Sequence, residues 1–148
     1  MNRNFVEMLS ALSDAGAEYL IIGATALAAH GYTRGTKDID IWIRPTPENA
    51  ARVYRALIEF GAPMHEVSVQ DLSTPGLIYQ IGVDPGRIYF LTQPAGVTFE
   101  PAWQQRVMFD VNGKSYPFIG RADLIASKRA AGRPNDLRDI EELERLPQ

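Results

Sequence analysis

Cysteine is absent from this 148-residue chain, so neither a disulfide nor a thiolate-bound metal contributes to it. The architecture must rest on packing. Histidine is nearly absent as well: His30 and His65 are the only two, and a zinc centre needs three or four convergent ligands. No apolar run approaches the roughly 20 residues that a membrane-spanning helix requires. A basic excess is also missing. The formal net charge is -3 and the pI is near 5.4, which argues against a general nucleic-acid scaffold. No internal repeat, low-complexity tract or interdomain linker interrupts the sequence. These absences lead us to expect a soluble, cytoplasmic protein without a membrane segment.

What is present suits one core. A chain of 148 residues with 45% hydrophobic content has the size of a single domain, expected over residues 1–148. Phe5, Met8, Leu9 and Leu12 share one helical face, and Glu7 and Asp14 interrupt the apolar pattern. Residues 1–16 therefore read as an amphipathic helix and not as a secretory leader. Tyr19 to Ile22 reads as a short buried strand that Gly23 breaks, with a helix starting over Thr25 to His30. Thr46-Pro47 supplies the cap and first-turn proline of a helix that Gly61 closes.

Residues 62–76 mix apolar side chains with Pro, Ser, Thr and Gly, and read as a short strand plus loop. Leu77 to Ile81 and Arg87 to Leu91 read as strands joined through Asp84-Pro85-Gly86. Val107 to Val111 and Lys114 to Phe118 flank Asn112-Gly113, a strong hairpin signal. Two helices follow, from about Ala122 to Ala131 and from Asn135 to Leu146. This order predicts an α+β fold with a mixed, partly antiparallel sheet flanked by helices.

The chemistry concentrates between Gly23 and Asp40. Residues two apart on a strand point to the same side, roughly 6.6 Å apart. Asp38 and Asp40 thus face one way, while Ile39, Ile41 and Ile43 anchor the strand in the core. Two adjacent carboxylates repel unless a cation joins them. Mg²⁺, or Mn²⁺, suits that role, because a hard cation takes oxygen ligands from one or two carboxylates, water and substrate phosphates. On the pair alone, a solvated edge strand is the simpler account. The upstream element shifts the balance: strand, Gly23 turn and helix start, through Ala24 and Thr25, aim backbone N–H groups at an anion. Arg34, Thr36 and Lys37 add positive charge and a hydroxyl just before the carboxylates. The combination reads as a site for a metal-bound nucleoside triphosphate, with Asp38 and Asp40 as metal ligands and Gly23, Ala24, Thr25, Arg34 and Thr36 as nucleotide contacts.

The run Gly23-Ala24-Thr25, followed by His30-Gly31-Tyr32-Thr33-Arg34-Gly35-Thr36-Lys37-Asp38-Ile39-Asp40, resembles the signature of the DNA polymerase β-like nucleotidyltransferase superfamily. The similarity is greatest to small bacterial members related to the nucleotidyltransferase components of toxin–antitoxin systems. A second match covers Asp123 to Ile140, with Lys128 on one helix and Asp136 and Asp139 on the next. The resemblance implies attack of an acceptor hydroxyl on the α-phosphorus of a nucleoside triphosphate, with pyrophosphate leaving. It implies that Asp38 and Asp40 act as catalytic metal ligands and that Lys128 contacts phosphate. An RNA or protein acceptor, and a cognate toxin or antitoxin, follow from the same resemblance.

Two departures stand out. Gly23-Ala24 replaces a Gly-Gly or Gly-Ser pair, so a serine hydroxyl is missing unless Thr25 substitutes. A third carboxylate is expected on a later strand, in the run Arg87-Ile88-Tyr89-Phe90-Leu91-Thr92, where Tyr89 takes the acidic position. A phenol with a reference pKa near ~10 is a poor metal ligand and general base at neutral pH. Asp84 and Glu100 are the nearest acidic alternatives, although turn chemistry also explains Asp84. The alternative function is therefore a binding module of the same fold that engages a nucleotide or partner with weakened turnover. His30 reads as a capping or packing residue; Trp42 shares strand parity with the aspartates and could stack on a base, although a partly buried core residue is the simpler account, and Trp103 reads as packing. Asp136 and Asp139 match the resemblance, but acidic residues early in a helix also suit its dipole. The cations Arg121, Lys128, Arg129, Arg133 and Arg138 gather near the C-terminus, where they could face a polyphosphate or an RNA acceptor; for most, a solvated helix face is the simpler account.

Overall fold

The computed structural model describes residues 1–83 and 86–147. Its elements are α1 (Arg3–Asp14), β1 (Tyr19–Ile22), α2 (Gly23–Ala29), β2 (Ile39–Ile43) and α3 (Pro47–Phe60), then a 3-10 turn (Met64–Glu66) and α4 (Val69–Leu72). The chain continues through β3 (Ile78–Ile81), β4 (Ile88–Leu91), α5 (Phe99–Gln104), β5 (Val107–Val111), β6 (Lys114–Phe118), α6 (Arg121–Ala131) and α7 (Pro134–Arg145). The strands form a six-stranded sheet in the order β3-β4-β2-β1-β6-β5. Pairs β1–β2, β3–β4 and β5–β6 are antiparallel, and β1–β6 and β2–β4 are parallel. This is the mixed α+β architecture that the sequence predicts.

Local signals explain most boundaries. Thr46 caps α3 by accepting from the Asn49 amide, Pro47 follows, and Gly61 ends the helix in the left-handed region at φ 90°. Asn112 and Gly113 both take positive φ, 53° and 86°, which lets their two-residue turn follow the twist of β5 and β6. Ile39, Ile41 and Ile43 are fully buried. They hold β2 near the middle of the sheet, where its flanking strands extend the core on both sides.

Three sequence readings need correction. Residues 62–76 contain no strand among the described residues. Instead Ser68 accepts from the Asp71 amide at 3.0 Å while the Asp71 carboxylate accepts from the Ser68 amide at 2.9 Å, a reciprocal cap that starts α4. The short helix α5 lies in a stretch where no element was expected. Phe99 and Ala102 bury one side of it, and Trp42 meets the Phe99 ring edge-on at 5.1 Å. Glu100, an alternative source of the missing carboxylate, sits on that helix beyond the Arg44 end of β2 and reaches Arg44 and Gln104. It does not line the cleft described below. Asp84 and Pro85 of the expected β3–β4 turn lie outside the described residues. Among the described residues no helix is long and apolar enough to cross a membrane.

Candidate active site

Register brings the site together. Asp40 on β2 pairs with Ile22 on β1 and with Tyr89 on β4, so the end of β1, the start of β2 and the start of β4 meet at one edge of the sheet. The chain turns at Gly23 directly after Ile22, with φ 68°, where an L side chain is strained. A Cβ added there would collide with the Asp40 carboxylate. Glycine is thus required twice at this position, by the turn and by the close approach. Gly23→Ala is expected to cost about 1–2 kcal/mol for the left-handed backbone and to push the Asp40 side chain aside. A lower melting temperature together with loss of any cation-induced stabilisation would be the signature; a variant with only the first effect would show that Asp40 keeps its position.

A cleft of about 440 Å³ opens over this edge, lined by Gly23, Ala24, Arg34, Thr36, Asp38, Asp40 and Tyr89 on one side. Lys128, Arg133, Asn135 and Asp136 from α6 and the start of α7 complete it. The structure therefore gathers Gly23, Ala24, Arg34, Thr36, Asp38, Asp40 and Lys128, which the sequence reading had grouped. Thr25 does not line this cleft; it lines an adjoining hollow with Phe5, Ala28 and Lys37, and Ala24, Arg34 and Thr36 border both. Thr36 lines the cleft, but its hydroxyl is engaged in a local turn: it accepts from the Asp38 amide at 2.9 Å and donates to the Asp38 carbonyl at 3.1 Å. Trp42 shares strand parity with the aspartates yet is buried, with its indole N–H donating to the Thr92 carbonyl at 3.3 Å. His30 packs, its Nε2 lying 2.8 Å from the Ile119 carbonyl.

Asp38 is fixed by the neighbouring strand, accepting from the Arg87 amide at 3.1 Å through Oδ1. Among the described residues no hydrogen bond ends on the Asp40 carboxylate. Burial first, and then the charge of Asp38, push the Asp40 carboxyl above the ordinary carboxylate value, while Lys128 and Arg133 pull it back. Burial and a neighbouring carboxylate both disfavour the charged form, and a nearby cation favours it. Two hard oxygen ligands facing open space suit Mg²⁺ or Mn²⁺, which fills its remaining positions with water and phosphate oxygens. Among the described residues no cluster of three or more His, Cys, Asp or Glu is placed to hold a metal without such help.

The opposite wall is an ion network that sequence order conceals. Lys128, only 8% exposed, lies 2.9 Å from Asp139 and 3.5 Å from Asp136. Arg34 grips Asp139 through Nε at 3.0 Å and a second nitrogen at 3.1 Å. Arg133 grips Asp136 at 2.6 Å and 3.3 Å and also donates its backbone N–H. Burial alone would raise the Asp136 carboxyl; the Arg133 hydrogen bonds and the charges of Arg133 and Lys128 win and hold it below the ordinary value. Arg133, one of the five clustered cations, joins the cleft, and so does Asn135, which no sequence signal marked. The proline start of α7 immediately after a glycine-ended helix turns residues 133–136 toward the sheet edge.

A sheet edge with paired aspartates, a glycine turn against one of them and a cationic helical wall defines a nucleotidyltransferase-type domain. The chain belongs to the family described as nucleotidyltransferase of unknown function (DUF6036), whose model matches residues 3–146. Among solved structures, it is similar to the lincosamide antibiotic adenylyltransferase LnuA in its lincomycin-bound form. That match has a TM-score of 0.66 and 12% identity, and covers 99% of this chain and 98% of the other. It is also similar to a Thermotoga maritima protein assigned as a nucleotidyltransferase (TM1012), with a TM-score of 0.62, 14% identity and coverage of 96% and 89%. At these identities the likeness speaks for the fold. No curated protein sequence matches the chain.

Proposed function

We propose that this protein transfers a nucleoside monophosphate from a Mg²⁺- or Mn²⁺-bound nucleoside triphosphate to an acceptor hydroxyl. The observation that carries the reading is the convergence of Asp38, Asp40 and the Gly23 turn in one cleft with Arg34, Lys128 and Arg133. A divalent cation bound there would neutralise charge on the transferring phosphoryl group and on the leaving pyrophosphate. Asp38 and Asp40 would hold that cation. The Gly23 turn lets backbone approach the phosphates where any side chain would intrude. Lys128, Arg34 and Arg133 supply positive charge to the same cleft as the carboxylates, and the partly enclosed cleft strengthens these interactions relative to open water.

The acceptor belongs to an RNA or a protein in the terms of the sequence resemblance. The LnuA neighbour, named for acting on a lincosamide antibiotic, adds a small molecule to the candidates. A triphosphate substrate also favours the cytoplasm as the place of action. Tyr89 favours a second reading, because a phenol stands beside Asp40 where a third carboxylate is expected. On that reading the cleft binds nucleotide, or a toxin or antitoxin partner, with little turnover.

One experiment separates the two. Protein is incubated with each α-labelled triphosphate, Mg²⁺ or Mn²⁺ and cell extract, comparing wild type with the Asp38→Asn, Asp40→Asn double variant. Label transfer to an acceptor that the double variant loses is the expected result. A nucleotide- and metal-dependent rise in melting temperature without transfer would favour the binding module. No response of either kind would overturn the transferase reading and nucleotide binding alike, and leave only an interaction domain.

A further inference from the structure

We propose that Tyr89 is itself a nucleotide acceptor, so that the protein attaches a nucleotidyl group to its own phenol. This rests on the transferase reading above and adds an acceptor within the chain.

The placement follows from strand pairing. β4 runs parallel to β2 with Tyr89 opposite Asp40, and residues paired across a sheet project from the same face. Neighbouring strands lie roughly 4.8 Å apart, so the tyrosine leaves the sheet directly beside a proposed cation ligand. Its side chain lines the cleft with Asp38, Asp40, Arg34, Lys128 and Arg133. It is neither sealed in the core nor fully solvated.

The hydroxyl is also uncommitted. Two tyrosines of the fold use theirs as tethers: Tyr19 Oη lies 2.8 Å from the Ser13 hydroxyl, and Tyr79 Oη donates to the Pro63 carbonyl at 3.1 Å. Tyr89 Oη makes no hydrogen bond to any described residue. Its cross-strand neighbour on the other side, Gln80, turns its amide to the Gly82 carbonyl instead. Tyr89 therefore presents its hydroxyl to the volume that the triphosphate would occupy.

The chemistry balances with the triphosphate as the only co-reactant. A bond forms between Tyr89 Oη and the α-phosphorus, and the bond from the α-phosphorus to the α,β-bridging oxygen breaks. Pyrophosphate leaves with the bonding pair, and the phenolic proton passes to solvent. The product is a phosphodiester on Tyr89. Because its nucleoside would remain in the cleft, labelling should stop at one group per chain.

The test uses the intact protein, each nucleoside triphosphate and Mn²⁺ or Mg²⁺, without extract. Intact mass should rise by one nucleotidyl group, and peptide mapping should place it on Tyr89. Tyr89→Phe, which removes only the hydroxyl, should lose the increment, as should the Asp38→Asn, Asp40→Asn double variant. Melting curves without ligand establish that each variant is folded, and the wild-type melting shift with metal and nucleotide reports binding separately. A shift that depends on the two aspartates, with no mass increment or with one that persists in Tyr89→Phe, overturns the proposal and leaves the transferase reading standing. If metal and nucleotide produce neither shift nor increment, that reading fails and the proposal with it.

Discussion

Asp139→Leu should destabilise the protein by about 3–5 kcal/mol, the cost of removing one partner from a buried ion pair. For a chain of this size that corresponds to roughly 10 °C in melting temperature. Asp139 is 1% exposed and receives Lys128 at 2.9 Å as well as both arms of Arg34. Without it, Lys128 keeps only Asp136 at 3.5 Å, and that carboxylate is already engaged by Arg133. Arg34 loses less, since its side chain is 39% exposed and water can take the place of the carboxylate. The penalty therefore falls on the buried ammonium.

That reasoning predicts a rescue. Adding Lys128→Met to Asp139→Leu replaces the buried pair by apolar groups and should recover most of the lost stability. The double variant would nevertheless lack the one cation that the network holds deep in the cleft wall. Urea or thermal melts give the stability, and the nucleotide-induced melting shift gives the site. Recovery of both together would show that Lys128 serves packing alone. Failure of the double variant to recover stability would mean that the network also positions α7 against α6 in ways an apolar pair cannot reproduce.

The same network shows how much of the site was legible in the sequence. Local rules located Asp38 and Asp40, because strand alternation and the buried isoleucines depend only on near neighbours. They also located the Gly23 turn, the Thr46-Pro47 helix start and the Asn112-Gly113 hairpin. Arg34 and Asp139, in contrast, are 105 positions apart. No periodicity connects them, and a resemblance that flagged Asp139 could not say which cation it would hold. Arg133 is one of five clustered cations, and nothing local tells which of them faces the cleft, since that contact depends on how α7 leaves α6. The stretch over residues 62–76 failed for another reason. Its Ser68 and Asp71 form a cap over a helix of one turn, too short to show a hydrophobic period. Tyr89 lies between these cases: its strand was legible, and the pairing that sets it beside Asp40 needed the sheet.

Asp40→Asn is expected to make the free protein more stable while removing its response to metal and nucleotide. The folded state raises the Asp40 carboxyl above its ordinary value of 3.8, through burial and then the charge of Asp38. A carboxyl raised in this way favours folding while it is protonated, and that contribution disappears as pH climbs through the folded-state pKa. At neutral pH the ionised Asp40 therefore works against the fold. Asparagine, similar in shape and uncharged, relieves the burial cost and the repulsion from Asp38 together. Melting curves across pH should show the variant above wild type at pH 7, with the gap closing below about pH 3.8, where Asp40 is neutral in both states. Mn²⁺ or Mg²⁺ with nucleotide should raise the wild-type melting temperature and leave the variant nearly unmoved. That ligand effect should fade in wild type as pH falls through the raised pKa, because the cation binds the ionised carboxylate. A variant less stable than wild type at neutral pH would mean that Lys128 and Arg133 outweigh burial and Asp38, and that Asp40 is held as a structural ion pair. The predicted opposition, stability gained as ligand response is lost, is the pattern of a charge kept in an unfavourable place for what it binds.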